Sequence, residues 1–424
     1  MSAAFKRQPL NMKTKNLIAE LTTRSEILNF RPDRAAGLAR LATFSGRAGD
    51  IYDRCRNYDL GADKRTNVSA LSPWIRHRLI TEVEVLEVIL GQHGFQAAER
   101  FVHEIFWRTY FKGWLEQHPG VWAAYQADLR GQMISVSKDR RLAANYGQAM
   151  DGATGIDCFD AWVGELVRTG YLHNHARMWF ASIWIFTLQL PWTLGADFFL
   201  RHLIDGDPAS NTLAWRWVAG IQTKGRPYIA RASNINKFTN QKFCPVHQLE
   251  TKIVSKQDPL NHLRRSLPDV AQAEDIPPEF LLLVTEDDMQ IAEELPHPPI
   301  ATIGALATEG RSPMEIGDIP KQFAANALRN VCMDHHIIND NAWSDKLIED
   351  CKRNQAKTIV TSYAPIGPTS TAILNAQVDL KLAGIQVLFL RRQFDTIAWP
   401  HANKGFFAMK KNVPAILEKL GFKL

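Results

Sequence analysis

The stretch LIDGDPASNTLAWRW, residues 203–217, follows one of the most apolar parts of the chain, yet it carries two aspartates, an asparagine and two tryptophans. Asp207 followed by Pro208 predicts a helix start, because the carboxylate can cap free amides and proline lacks the hydrogen that the first turn leaves unused. Residues four apart share a helix face, so Asp207, Asn211 and Trp215 should line one surface. A carboxylate, an amide and an indole in one row suit a flat, partly polar ring such as a flavin.

Each of these residues also has a simpler explanation. The aspartate can serve only as a helix cap, the asparagine as a hydrogen-bonded core amide, and the tryptophans as packing. It is the combination in one row, and no single member, that favours a ligand.

Composition bounds the remaining possibilities. A chain of 424 residues predicts two domains, and 46% apolar and 22% charged residues are ordinary for a globular protein. A net charge of +6 does not by itself establish nucleic-acid binding. The five cysteines form no C-x-x-C pair, so we predict no metal site and reduced thiols.

Targeting signals are weak. The N-terminus is basic but lacks an apolar core, so we expect a cytoplasmic protein. The uncharged stretch 178–196 has the length of a membrane span. However, Ser182, Pro191 and Gly195 interrupt it and no basic cluster flanks it, which favours a buried core segment over a membrane helix.

The pattern along the chain predicts three parts: an N-terminal extension (1–45), a helical domain (46–275) and an α/β domain (276–424). Apolar residues recur at three- and four-residue spacing up to about residue 240, which is typical of helices. Short apolar runs then alternate with helical stretches, which predicts a parallel sheet. The runs lie at 280–288, 299–307, 357–365 and 384–392. The expected fold class is mainly α, followed by a small Rossmann-like α/β domain.

Several motifs resemble the flavin-binding half of the DNA photolyase and cryptochrome superfamily. TGYLHNHARMWFAS (169–182) precedes LIDGDPASNTLAWRWVAGIQTKGRPY (203–228), and upstream YDRCRN, NVSALSPWIRHRLIT and HEIFWRTYFKGWL follow the same order. Typical members place an α/β antenna domain ahead of this region, whereas here about 45 residues precede the first motif and an α/β unit follows. The resemblance therefore implies a short form, whose α/β unit is either a relocated antenna domain or a structural cap. Whether a second, antenna chromophore binds stays open.

The resemblance implies bound FAD. Ser69 and Ser72 would donate hydroxyls to the flavin diphosphate, together with amides around Leu71, although Val68 stands where the family has threonine. Arg177 and Asp205 match an ion pair beside the ring. Asp207 matches an acceptor at the polar edge of the ring, and Asn211 matches the residue that faces N5. The implied cofactor contacts are Tyr52, Ser69, Leu71, Ser72, Arg108, Arg177, Asp205, Asp207 and Asn211.

Two tryptophans match the family's electron-transfer chain. Trp215 corresponds to the tryptophan nearest the flavin, and Trp192 to the second. The segment VSKDRRL stands where a third, surface tryptophan is usual. The distal relay is therefore expected to differ, with Trp179 or Trp184 as a substitute.

The resemblance also implies a lesion pocket. Glu104 matches the carboxyl that hydrogen-bonds a damaged base, and Trp107 the indole that packs on it. The implied catalytic residues are Glu104, Asn211, Trp215, Trp192 and Met178. The implied DNA contacts are Arg56, Trp107, Asn174, Trp217 and Arg231. Basic residues expected to touch phosphates are RHR (76–78), KDRR (138–141), Lys224, Arg226 and Lys237.

The function implied is light-driven repair of cyclobutane pyrimidine dimers in DNA by a monomer that carries FAD. Three alternatives stay open: a cryptochrome-like blue-light photoreceptor, repair of (6-4) photoproducts, and single-strand nucleic-acid binding without flavin. The (6-4) branch places histidine where Asn174 stands. Single-stranded and duplex DNA are not distinguished.

Overall fold

The computed structural model describes Leu17 and residues 29–251, 253–333, 336–339 and 342–424. Most of the predicted N-terminal extension lies outside these residues. The first helix with described bounds, α1 (Arg34–Ser45), places Leu41 and Phe44 in one apolar cluster with Phe101. This helix therefore packs as part of the helical domain, ahead of the expected boundary at residue 45.

The helical domain contains ten further helices in its described part. They are α2 (Asp50–Cys55), α3 (Ser72–Arg76), α4 (Glu82–Gln117), α5 (Gly120–Lys138), α6 (Arg140–Asp151), α7 (Asp157–Thr169), α8 (Asn174–Ser182), α9 (Trp192–His202), α10 (Pro208–Val218) and α11 (Ala232–Phe238). A π-helical turn, Ile183–Thr187, follows α8. The uncharged stretch 178–196 is thus split between three elements. Among the described residues no helix has the length and apolarity to cross a membrane.

Helix α4 carries much of the site. A capping box of Thr81 and Glu84 begins it, with the threonine hydroxyl accepting from the Glu84 amide. Gly94 breaks the helical geometry at φ 67°, a region that only glycine enters without strain, and so redirects the second half. That half packs Phe101 and Phe106 into the core and leaves the neighbouring face for polar residues.

Helix α10 begins as its sequence predicts. The Asp207 side chain accepts from the Ser210 amide at 2.7 Å, and Pro208 occupies the first turn. Gly195 of α9 lies against the Trp215 ring so closely that any side chain there would collide with it. The glycine therefore lets α9 and α10 approach and seats the indole between them.

The C-terminal domain is a five-stranded parallel sheet in the order β3-β2-β1-β4-β5, which confirms the predicted α/β fold. The strands are β1 (Leu281–Thr285), β2 (Ala301–Ala305), β3 (Ile337–Ile338), β4 (Thr358–Ser362) and β5 (Gln386–Leu390). Its helices are α12 (Asp318–Cys332), α13 (Trp343–Arg353), α14 (Pro368–Leu382), α15 (Gln393–Ala398), α16 (Phe406–Lys410) and α17 (Val413–Lys419). Each predicted apolar run contains one strand. The two-residue strand β3 was not predicted, because it is too short to show a pattern.

Open parallel sheets bind ligands where the strand order reverses, here between the ends of β1 and β4. In this molecule the helical domain occupies that place. Glu116 of α4 accepts hydrogen bonds from the Tyr363 hydroxyl and the Ile366 amide, both just after β4. The domain interface therefore fills the sheet's usual ligand position with a carboxylate from α4.

Buried ion pairs join the two domains after β1. Arg76 pairs with Asp287, and Arg78 pairs with Asp288 and Asp395. We call the following residues the interdomain cluster: Arg76, Arg78, Arg311 and Arg392 with Glu286, Asp287, Asp288 and Asp395. The prediction that RHR (76–78) contacts DNA is wrong, because all three side chains are buried in this interface.

Candidate active site

A cavity of about 160 Å³ opens between helices α4, α8, α9 and α10. It brings together many residues that the sequence singled out. Those among its lining are Asn174, Arg177, Met178, Asp205, Asp207, Asn211, Trp215 and Trp217. The rest of the lining is Phe111, Ala181, Phe199, Leu203, Gly206, Ser210, Ala214 and Val218.

One side of the cavity is built around Asp205. Arg177 donates to both carboxylate oxygens, at 3.0 and 2.9 Å, and the Ser72 hydroxyl donates to the same carboxylate. Burial opposes ionisation, but Arg177 and Ser72 more than compensate, so the pKa of Asp205 lies below its ordinary value. Ser72, expected to donate to a diphosphate, instead uses its hydrogen to hold this carboxylate.

Asp207 faces two cations of α4. Burial raises the pKa of Asp207, yet Lys112, Arg108 and Arg76 outweigh it, so the net shift is downward. Lys112 approaches the carboxylate only to 3.8 Å and Arg108 only to 3.9 Å, beyond hydrogen-bond distance. We call Arg108 and Lys112 the cationic wall.

The cationic wall has unused hydrogen-bonding capacity. Nε and Nη2 of Arg108 are buried and have no partner among the described residues. Burial, the largest influence, also lowers the pKa of both Arg108 and Lys112. Because an unpaired buried guanidinium is costly, this arrangement suits an anion such as a phosphate group.

Asn211 and Trp215 form the opposite side. The Asn211 amide nitrogen donates to the Ala196 carbonyl at 2.8 Å, and its oxygen accepts no hydrogen bond in the described part of the chain. Trp215 lies edge-on to Phe199 at 5.1 Å, with an unpartnered indole nitrogen. The Ser210 hydroxyl is likewise buried without a partner. These free polar atoms around apolar walls fit a ring with a polar edge and an anionic tail, as in a flavin dinucleotide.

Glu104, Trp107 and Trp217 are partly exposed, and of the three Trp217 lines the cavity; we call them the mouth residues. Glu104 pairs with Arg56, and burial raises the pKa of Glu104 more than Arg56 lowers it. The Trp107 ring lies 5.4 Å from that of Phe111, a lining residue, and so borders the cavity. Trp217 stacks on Tyr228 at 5.6 Å. The mouth thus combines a carboxyl group with aromatic surfaces.

The cavity lies in a part of the chain with known relatives. Residues 101–271 match the family described as the FAD binding domain of DNA photolyase. This region is similar to the FAD-binding domain of DNA photolyases. All the lining residues of the cavity fall within it.

Related proteins carry two kinds of name. A deoxyribodipyrimidine photo-lyase of Streptomyces griseus is 33% identical over 208 residues, which cover 46% of this chain and 44% of the relative. A cryptochrome DASH of Gloeobacter violaceus is 30% identical over 220 residues, covering 50% and 42%. The chain thus matches less than half the length of these curated relatives. A solved class III photolyase from Agrobacterium tumefaciens is 27% identical with a TM-score of 0.40, covering 49% and 43%.

Some residues expected to bind cofactor lie outside the cavity lining, and Arg108 is among them. The Tyr52 ring is buried edge-on against Phe44 and Phe101. Leu71 is buried, and the Ser69 carbonyl accepts from Arg40 at 2.6 Å. Of the SALSP motif, only Ser72 reaches the cavity, through Asp205.

The two tryptophans matched to the electron-transfer chain differ in their surroundings. Trp215 lines the cavity, whereas Trp192 is half-buried and its ring lies 5.8 Å from that of Tyr125. Trp179 and Trp184 are fully buried, so neither reaches the surface as the expected substitute for a distal donor. The aromatic ring in contact with Trp192 is therefore that of Tyr125.

The exposed basic residues include most of those predicted to meet DNA. Arg231 is exposed at the N-terminus of α11, away from the cavity lining. Also exposed are Lys138, Arg140, Arg141, Lys224, Arg226 and Lys237.

Sequence reasoning missed two residues of the site on α4. Phe111 lines the cavity four positions after Trp107, and Lys112 reaches Asp207 four positions after Arg108. The four-residue spacing that exposes a shared helix face was therefore present in the sequence and could have indicated both.

Proposed function

We propose that this chain binds FAD in the cavity and uses light to repair cyclobutane pyrimidine dimers in DNA. The observation that supports this most is a cavity lined by Asp207, Asn211 and Trp215, in a region that matches the photolyase FAD-binding family, with the unsatisfied guanidinium nitrogens of Arg108 beside Asp207. Bound and reduced, FAD would supply on excitation the electron that opens the dimer's cyclobutane ring and then returns.

The cavity residues would divide the cofactor between them. Arg108 and Lys112 would bind its anionic diphosphate, which gives the buried guanidinium the partner it lacks. Arg177 would stay fixed by Asp205 and hold the polar edge of the ring. The free Asn211 oxygen could accept a hydrogen bond from a protonated ring nitrogen, since the amide nitrogen is held by Ala196.

The mouth residues would hold the lesion. A dimer must leave the base stack to reach a buried cofactor, and aromatic walls replace its lost stacking. Trp107 and Trp217 offer such walls, and Asn174 and Met178 line the cavity between them and its interior. Burial raises the pKa of Glu104, and its carboxyl group can hydrogen-bond the polar edge of a base. Arg56 would have to release Glu104 when a lesion enters.

The test is repair of a thymidine oligonucleotide with one thymine dimer. The reduced, FAD-loaded protein is illuminated with near-ultraviolet or blue light, and restored thymines are counted by chromatography. We expect Glu104→Ala to lose most repair and Glu104→Gln to retain part of it, because an amide still donates a hydrogen bond. Unchanged repair by Glu104→Ala would contradict the lesion pocket.

A photoreceptor role is the alternative, because a cryptochrome DASH matches the same part of the chain. The same experiment separates the two functions. Flavin that responds to light while the dimer stays intact would favour signalling. A protein that takes up no FAD would rule out both.

A further inference from the structure

Helix α16 of the C-terminal domain packs on Trp107, whose ring lies 5.4 Å from that of the lining residue Phe111. The Phe406 ring stacks on Trp107, with centroids 3.6 Å apart and planes 14° apart. It also meets Tyr110 edge-on at 5.6 Å, and it is buried. One face of the indole expected to pack on the lesion is therefore covered by the α/β domain, which anchors α16 beside that indole.

The next residue points the other way. Phe407 is 77% exposed, and its ring packs against no other aromatic ring in the described structure. Its Cα lies about 3.8 Å from that of Phe406, because they are consecutive in the chain. A large apolar ring is thus held out in water one residue from the Trp107 stack.

The surroundings of Phe407 are basic. Lys404 and Lys411 are exposed on either side of it, and Lys410 pairs with Glu99 at 3.4 Å. Residues 401–424 contain five lysines and one glutamate, so this segment carries most of the chain's net charge of +6. Exposed aromatic rings among cations are the usual means of holding a nucleic-acid strand, by stacking on bases and attracting phosphates.

We propose that Lys404, Phe407 and Lys411 form a strand-binding patch that holds DNA beside the cavity mouth. Phe407 stacks on a base flanking the lesion, and the two lysines attract phosphates of the same strand. The proposal rests on the proposed function in taking DNA as the ligand. It gives the α/β domain a part in substrate binding through a segment outside the matched family region, 101–271.

The test measures dark binding to fluorescein-labelled thymidine decamers, one undamaged and one with a single thymine dimer. Phe407→Ala in the full-length, FAD-loaded protein should weaken binding of both decamers about 5- to 150-fold, as expected for one lost base–aromatic stack. Phe407→Trp should restore it, since an indole stacks equally well. Both decamers should weaken by the same factor, because the flanking base is undamaged in each.

Leu382→Ala is the matched control. Leu382 is 83% exposed on α14 of the same domain and has no place in the patch, so its loss should leave affinity unchanged. Replacing Lys404 and Lys411 together by alanine should reduce the slope of log affinity against log salt by about 1.4, which is the value for two single-strand phosphate contacts.

Equal binding by Phe407→Ala and wild type would overturn the patch. So would a Phe407→Ala variant that changes only sedimentation behaviour, because Phe407 would then serve self-association. The proposed function is tested separately by wild type: no preference for the damaged decamer and no restored thymines would contradict repair. The undamaged decamer would still report on Phe407.

Discussion

The protein holds two groups of interior cations, the arginines of the interdomain cluster and the cationic wall on α4. They differ in their partners. In the interdomain cluster every arginine has a carboxylate within 3.3 Å, as Arg76 has Asp287 and Arg392 has Asp288. In the cationic wall, Arg108 and Lys112 come no nearer than 3.8 Å to Asp207. Lys112 is buried and Arg108 is largely so, and the clearest difference between the two groups is the distance to the nearest carboxylate.

The difference assigns the two groups different tasks. Burying a pair of charges costs desolvation free energy, which their mutual attraction offsets. Removing one partner leaves the other as an uncompensated buried charge. A guanidinium without partners has the same desolvation cost and no interaction that offsets it. Such a group is expected where a ligand supplies the missing partner. The interdomain cluster should therefore support folding, and the cationic wall should support binding.

The largest expected effect comes from breaking the paired group. Arg76→Met should lower the free energy of unfolding by about 3–5 kcal/mol, because it leaves Asp287 buried without its cation. Urea unfolding of the apoprotein measures this loss. The control is Arg54→Met, whose exposed pair with Asp50 should contribute at most about 1 kcal/mol. Equal losses in the two variants would show that the cluster does not join the domains.

Removing Arg108 from the cationic wall should affect FAD binding more than stability. Arg108→Met should destabilise the apoprotein much less than Arg76→Met, because Arg108 has no carboxylate within hydrogen-bond distance and two of its nitrogens lack partners. FAD affinity should fall about 10- to 150-fold, as expected for a lost charged hydrogen bond. Titration of apoprotein with FAD, followed by flavin fluorescence, measures this.

The matched control for FAD binding is Arg141→Met, an exposed arginine of α6. It should change neither stability nor FAD affinity. If Arg108→Met destabilised the apoprotein as strongly as Arg76→Met, the guanidinium would be structural and the contrast between the two groups would fail.

The same contrast explains what the sequence could predict. The row Asp207, Asn211 and Trp215 depends on the four-residue period of one helix, so local spacing was sufficient. Arg76 and Arg78 looked like a surface cluster because their partners, Asp287 and Asp395, lie 211 and 317 positions away. No local pattern can pair charges over such separations. For the same reason the placement of Glu116 at the reversal point of the sheet appeared only in the structure.

Tyr52 shows a second limit. Its motif matched a phosphate contact, but the ring is equally suited to an apolar core, and Phe44 from α1 supplies that core. A short motif gives residue types and their spacing. It does not show which residues from elsewhere in the chain will pack against them. The motif on α10 succeeded because its cap, its amide and its indole all depend on one helix.

The smallest expected effect concerns Asp207. Its carboxylate is stabilised by the charges of Arg108 and Lys112 but forms a hydrogen bond with neither. Its pKa is lowered in the folded state, so it stabilises the fold above the ordinary value of about 3.9, and this contribution is lost as the pH falls below that value. Asp207→Asn keeps a good helix cap but removes the charge. The variant should cost about 1–2 kcal/mol at neutral pH.

Below about pH 4 the difference between Asp207→Asn and wild type should shrink, because the unfolded wild-type chain then gains a proton at Asp207 that the lowered pKa of the folded state resists. Unfolding of both apoproteins at a series of pH values measures this convergence. Asp205, Asp287 and Asp288 also have lowered pKa values, so both proteins should lose stability in acid, the variant less steeply. Parallel curves for the two proteins would mean that Asp207 gains nothing from Arg108 and Lys112. Asp207 would then not serve as a counter-charge for the cationic wall, and the case for a bound anion beside Arg108 would be stronger.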